Sequence, residues 1–199
     1  MKKGLFIVIE GLDGSGSTTQ CELLKSFLQS KGQRVLLTKE PTNNLIGGLI
    51  RGVLTGDWQI TPEGLQLLFC ADRAHHLQKE IVPALEKGTH VICDRYMYST
   101  LAFGAVDCGL KWLQVLNEKF LQPDLAFVLE VPPEICIRRI AAGRNRFELF
   151  EKEDKLRKVL ANYKEIALQY NLNFVDGQKS KDTVHQEINK KVNELLNKN

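Results

Sequence analysis

Short apolar runs alternate with longer amphipathic stretches along the chain. Leu5-Phe6-Ile7-Val8-Ile9 is apolar at every position, which predicts a strand covered on both faces. Val35-Leu36-Leu37-Thr38, His90-Val91-Ile92-Cys93, Leu125-Ala126-Phe127-Val128-Leu129 and Leu172–Val175 predict four more, the last ending at Asp176-Gly177. Thr18–Lys31 reads as a helix stopped by Gly32. Thr61-Pro62-Glu63 supplies a capping hydroxyl, a proline at the first helical position and an acid beside it, so a helix should run from there to about Lys87-Gly88. Pro132-Pro133-Glu134 opens another, and a C-terminal helix begins near Asp182. Buried strands separated by helices predict the α/β class, with a five-stranded parallel sheet and helices on both faces. Ligands in such folds bind beyond the carboxyl ends of the strands, which singles out the residues after Ile9, Thr38, Cys93 and Leu129.

Composition acts mainly by exclusion. A length of 199 residues without repeat, linker or low-complexity tract suggests one domain spanning 1–199. With 43% apolar and 26% charged residues the chain is globular in type, and a net charge of +3 argues for neither a nucleic-acid nor a membrane partner. The longest apolar runs, such as Leu5–Ile9, are five residues, far short of the ~20 that span a bilayer. Met1-Lys2-Lys3 enters that run directly, so no signal peptide is expected. Cys21, Cys70, Cys93, Cys108 and Cys136 contain no C-x-x-C pair, which offers nothing to a zinc or redox motif and points to the cytoplasm.

Chemistry enters after the first strand. Gly11-Leu12-Asp13-Gly14-Ser15-Gly16-Ser17-Thr18 follows G-x-x-x-x-G-K-[ST], except that Ser17 stands where the lysine belongs. Glycines there let the backbone turn tightly and aim several N–H groups at one anion, and the helix beginning near Ser17 adds its positive end. Thr18 occupies the place of the Mg²⁺-binding hydroxyl. A plain Gly/Ser turn is the bland alternative; a strand before and a helix after favour the phosphate loop. Asp94-Arg95-Tyr96 follows the third strand, where an acid can hold metal-bound water and an arginine can clamp a phosphate. Phe69 and Arg73 share a helix face, so a ring could stack on a base while a guanidinium donates to its carbonyl. Taken alone, that pair reads more readily as core phenylalanine and solvated arginine. His75 and His76 are neighbours pointing about 100° apart on a helix and cannot jointly chelate, so they read as structural, as do His90, His185 and Trp112.

The segment Ile9-Glu10-Gly11-Leu12-Asp13-Gly14-Ser15-Gly16, followed by Thr18-Thr19-Gln20, resembles the opening of the thymidylate kinases, a family of P-loop nucleoside monophosphate kinases. Thr38-Lys39-Glu40-Pro41, Phe69-Cys70-Ala71-Asp72-Arg73, Asp94-Arg95-Tyr96 with Ser99, and Arg144-Asn145-Arg146-Phe147-Glu148 then arrive in the family's order. The resemblance implies a three-layer P-loop NTPase fold with a short lid at about 138–150. It also implies a homodimer and the reaction ATP + dTMP → ADP + dTDP, with Mg²⁺, in dTTP biosynthesis. Carried onto this chain, the ATP side comprises Gly11, Asp13, Gly14, Ser15, Gly16, Ser17, Thr18, Thr19 and Arg139, with Thr18 and Asp94 at the metal. The dTMP side comprises Asp13 at the 3′-hydroxyl, Phe69 and Arg73 holding thymine, Arg51 and Arg95 at the phosphate, and Glu40, Pro41 and Ser99. Thr100 and Phe103 touch base and sugar, where Phe103 could refuse a ribose 2′-OH by leaving it unpaired. Asp94, Arg95, Arg144 and Arg146 form the catalytic set, in which lid arginines neutralise the transferring phosphoryl.

The chain departs from the family pattern at Ser17 and at Asn145, where many members have Asp. Gly14 marks a subtype that keeps its basic residues in the lid. Two other readings stay open at this level: a nucleotide-binding protein with weak or lost catalysis, and a kinase for another nucleoside monophosphate. If the lid arginines do answer for the absent lysine, neutralising either Arg144 or Arg146 should lower kcat about a hundredfold, or ~2.7 kcal/mol, with little change in dTMP affinity. Steady-state kinetics of the single variants check this, and full kcat would move the compensating cation elsewhere.

Overall fold

The computed structural model describes residues 3–140 and 146–197, and the side chains of all of these except 146–152. Five strands form one sheet: β1 (Phe6–Gly11), β2 (Val35–Lys39), β3 (His90–Asp94), β4 (Leu125–Glu130) and β5 (Asn173–Asp176), in the order β2-β3-β1-β4-β5. All four pairings are parallel. The expected class and strand count are therefore observed. Each of β1–β4 runs one or two residues past its apolar stretch, which carries Glu10, Lys39, Asp94 and Glu130 to the carboxyl edge while the ladder continues.

Every-other-residue alternation divides the apolar strands between two cores. Ile7, Ile9, Ile92, Phe127 and Leu129 face α1 (Ser17–Ser30) and α9 (Lys181–Leu196), which return Cys21, Leu24 and Leu28, and Val184, Ile188 and Val192. Those helical positions recur every three or four residues, the spacing of one face. Phe6, Val8, Val91, Cys93, Ala126 and Val128 face the other way. That side is covered by α5 (Met97–Gly104), α6 (Leu110–Asn117) and α8 (Arg146–Tyr170). Helix α8 contributes Leu156, Val159, Tyr163 and Ile166, an apolar stripe hidden in sequence by the charges around it.

Between β2 and β3 lie α2 (Leu45–Thr55), α3 (Pro62–His76) and α4 (Val82–Glu86). Asn44 and Thr61 cap α2 and α3 by accepting from the backbone N–H groups of Gly47 and Gly64. The single helix expected from Thr61 to Lys87 is instead broken by a π-helical turn at Leu77–Ile81. Pro83 lies just beyond it; proline brings no N–H to the carbonyl four residues back and crowds it, and a wider turn relieves both.

Helix α7 (Pro133–Ile140) follows β4 and packs under the glycine loop. The expected lid at 138–150 thus takes in the end of α7 and the start of α8, and residues 141–145 are outside the described residues. Gly14 has φ +83°, and a Cβ on it would meet the carbonyl oxygen of Cys136 at 2.7 Å and the side chain of Ile140 at 3.0 Å. Gly14→Ala therefore adds a left-handed backbone penalty to a clash with main chain. It should lower the unfolding free energy by about 1–3 kcal/mol, measurable as a shifted denaturant midpoint at unchanged slope.

Candidate active site

Gly11–Thr18 links β1 to α1 at the middle of the sheet edge. Gly16, at φ +99°, is the N-cap residue of α1 and leaves the helix's first N–H groups facing outward. Ser17 is buried as the first residue of α1, and its hydroxyl carries no charge. The Thr18 hydroxyl donates to Asp94 Oδ2 at 2.5 Å. Asp94 Oδ1 is buried with no hydrogen-bond partner among the described residues. Two hard oxygen donors side by side, one unsatisfied, fit Mg²⁺ or a water of its shell. On the far side of the loop, the Arg139 guanidinium donates to the carbonyls of Gly14 and Ser15, both at 3.2 Å, and of Gly177 at 3.4 Å.

Arg95 is held in a left-handed conformation, φ +69°. Its Nη2 donates to Asp13 Oδ1 at 2.8 Å and its Nη1 to Ser99 Oγ at 3.0 Å, with the guanidinium 5.1 Å from the Phe103 ring centroid. Beneath it Glu10 is fully buried. One carboxylate oxygen accepts from the Tyr96 and Ser99 backbone N–H groups at 2.9 and 3.2 Å. The other accepts from the Ser99 hydroxyl at 2.5 Å and from the Tyr163 hydroxyl at 3.0 Å. Burial pushes the Glu10 carboxyl up to about 7, against the opposing pull of these donors and of Arg95.

Beside this wall opens a cavity of about 390 Å³. Glu40, Pro41, Phe69, Arg73, Thr100 and Phe103 line it, with Asp13, Asp94, Arg95 and Ser99 on the loop side. Arg73 is completely buried. Its Nε and Nη2 reach Glu40 Oε2 at 3.0 and 2.8 Å, Nη1 donates to Asn117 Oδ1 at 2.6 Å, and Nη2 donates to Thr100 Oγ1 at 3.0 Å. Its guanidinium carbon lies 5.1 Å from the Tyr96 ring centroid and 5.5 Å from that of Phe120. Of the five N–H bonds a guanidinium carries, one on Nη1 is left over to meet a ligand carbonyl. Glu40's other oxygen pairs with His76 Nδ1 at 3.2 Å, and His76 Nε2 lies 2.8 Å from Thr38 Oγ1.

The expected residues divide accordingly. Ten of them meet in or around the cavity, while Gly11, Gly14, Ser15, Gly16, Ser17, Thr18 and Thr19 form the loop and helix start. Arg51 is not in the cavity lining; its Nη1 donates to the carbonyls of Pro41 and Thr42 and braces the segment after β2. Arg144 is outside the described residues, and Arg146 opens α8 with its side chain undescribed. Glu10, Asn117, Tyr163, Gln66 and the Lys155–Asp107 pair join the site without having been singled out. Only Glu10 had a signal, an acid at the end of a fully apolar strand.

The loop and the cavity share Asp13, Asp94 and Arg95 as a common wall, so an anion seated on one faces a ligand held in the other. That is the layout of a P-loop kinase acting on small nucleotides. Comparison with known proteins narrows the class: residues 9–188 match the family model described as thymidylate kinase, and the chain belongs to that family. A probable thymidylate kinase of Pyrococcus abyssi (strain GE5 / Orsay) is 43% identical over 194 residues, covering 94% of each chain. One from Methanocaldococcus jannaschii is 40% identical over 191 residues, covering 94% of this chain and 95% of that one. The thymidylate kinase of Carboxydothermus hydrogenoformans is 35% identical over 194 residues, with the same coverage.

Glu10 makes a pH-dependent prediction. Its folded pKa lies above the ordinary 4.5, so its contribution to stability is full below that value and is lost as pH rises through about 7. Glu10→Gln cannot titrate. Between pH 5 and 8 the wild type should lose stability relative to that variant by on the order of 1 kcal/mol per pH unit at the steepest point. Urea titrations across that range measure it; parallel profiles would contradict the assignment.

Proposed function

We propose that the chain transfers the γ-phosphoryl group of ATP to dTMP. The observation that carries this reading is the cavity itself: an aromatic wall at Phe69, one unspent N–H on an otherwise fully engaged Arg73, and an open side toward the loop. Thymine stacks on Phe69, its carbonyl takes the remaining Arg73 N–H, and Thr100 Oγ1 meets the adjacent ring nitrogen. Asp13 receives the 3′-hydroxyl. Arg95 and Ser99 face the 5′-phosphate, and Arg51 acts on it through the Pro41–Thr42 segment that it braces.

An oxygen of the dTMP phosphate attacks the γ-phosphorus in line, the bond to the β–γ bridging oxygen breaks, and that electron pair leaves with ADP. The second pKa of such a phosphate is about 6, so the attacking oxygen is already ionised near neutral pH and no general base is required. This agrees with a site rich in arginine and backbone N–H and free of histidine at the loop. Thr18 and Asp94 would hold Mg²⁺, whose charge would shield the donor phosphates. The protein's share is alignment and the cancelling of repulsion between two anions.

The remaining parts of the reading follow from the family. The chain works as a homodimer, with the exposed apolar residues Leu45, Leu49 and Leu67 of α2 and α3 available for packing. It acts in the cytoplasm, in accord with five cysteines that are all unpaired. Among the described residues, no helix is long and apolar enough to cross a membrane.

The deciding experiment follows coupled ADP release with dTMP, dUMP, UMP, CMP and AMP side by side. The reading expects dTMP to have the highest kcat/KM; binding of dTMP without turnover favours the weak-catalysis alternative that Ser17 suggests, and preference for another base redirects the substrate assignment. Phe103 stands at the cavity wall with the Arg95 guanidinium over its ring, and it meets the Tyr163 ring at a right angle, centroids 6.4 Å apart. Phe103→Ala should narrow the gap between dTMP and its ribonucleotide counterpart by about tenfold, the scale of one lost apolar contact.

A further inference from the structure

The phosphate loop lacks its lysine, and the cations around it differ in what they have left to offer. Arg73 is held by Glu40, Asn117 and Thr100 with its remaining N–H turned to the base, and Arg95 is tied to Asp13 and Ser99 on the acceptor side. Lys155 pairs with Asp107 at 3.2 Å, and Arg139 is tied to three carbonyls. Lys39 also lines the cavity, is exposed, and has no hydrogen-bond or ion-pair acceptor among the described residues. An uncommitted cation at the wall of an anion site is available to a ligand.

Its position is set by the sheet. Lys39 ends β2 as the register partner of Asp94, just as Leu37 is the partner of Ile92. Residues paired in register share a face, and Leu37 and Ile92 both pack on the α1 side. Lys39 therefore projects to the side of Asp94, Thr18 and Ser17, one strand spacing of about 4.8 Å from Asp94, a gap that a four-carbon stem crosses easily. The same register puts it on the cavity lining one strand beyond Asp94, whose other neighbour is the donor loop.

We propose that Lys39 supplies the charge that Ser17 cannot, its ammonium contacting the phosphoryl group as it passes from donor to acceptor. The inference rests on the phosphoryl-transfer reading above. In the step, the new bond joins the acceptor phosphate oxygen to the γ-phosphorus and the γ-phosphorus–bridging oxygen bond breaks. Lys39 keeps its proton throughout and acts as a point charge with up to three hydrogen bonds to give.

The test is a double-mutant cycle between Lys39→Met and Ser17→Lys, read by steady-state kinetics with ATP and dTMP. Lys39→Met should lower kcat by about ten- to a hundredfold with both KM values little changed, and Lys39→Arg should keep part of the rate. Ser17→Lys should raise kcat more in the Lys39→Met background than in the wild type, because the two cations serve the same charge. Thermal unfolding of Lys39→Met should match the wild type, since the side chain is exposed and bonded to no other described residue. A Lys39→Met kcat within about twofold of wild type, or equal gains from Ser17→Lys in both backgrounds, overturns the inference. A wild type that releases no ADP on dTMP overturns the underlying reading instead, and Lys39 falls with it.

Discussion

Glu10 ends the apolar part of β1 where no water reaches it, and donors from α5 and α8 converge on both its oxygens. An ionised carboxylate in such a place is costly unless every lone pair is answered, so the surrounding chain has little freedom. Its contacts with the Tyr96 and Ser99 N–H groups anchor the entry to α5, and between β3 and that anchor Arg95 must take a backbone conformation costing about 1–3 kcal/mol. The strained residue is the one whose guanidinium joins loop to cavity. Tyr163 extends the same constraint to α8, so three elements distant in sequence meet on one side chain.

A second buried charge cluster builds the cavity wall. Arg73 and Glu40 satisfy each other, and Asn117, Thr100 and His76 occupy nearly all that remains. Such pairs contribute little net stability compared with apolar packing, but removing one partner strands the other and costs several kcal/mol. What the cluster gives is geometry: a guanidinium that cannot rotate, with a single direction left in which to donate. His76 takes part as a neighbour of Glu40, the structural role that its adjacency to His75 suggested.

How much of this was legible depends on whether the cause was local. Apolar runs specified all five strands, and the glycines of the loop announced its turn, because each depends on backbone conformation within a few residues. The partners of Arg73 did not show themselves: Asn117 lies 44 residues away and carries no local pattern, and only the packing of α6 against α3 brings it in. Arg51 looked like any surface arginine, and its carbonyl acceptors exist only once the chain after β2 has turned. The π-helical turn was hidden since periodicity continues through it, although Pro83 was its visible cause.

Gly14 is more than a hinge in the loop, because its missing side chain is the notch into which the main chain of α7 fits. With α7 settled against a bare glycine, position 14 has no room for any side chain, charged or not, unless the loop and the helix shift together. Ser17 is buried too, but it begins a helix, in a backbone conformation that any side chain can adopt. The two ends of the loop thus differ in how many parts must move to place a charge there: at 17 a single substitution can carry it, whereas at 14 two elements would have to move at once.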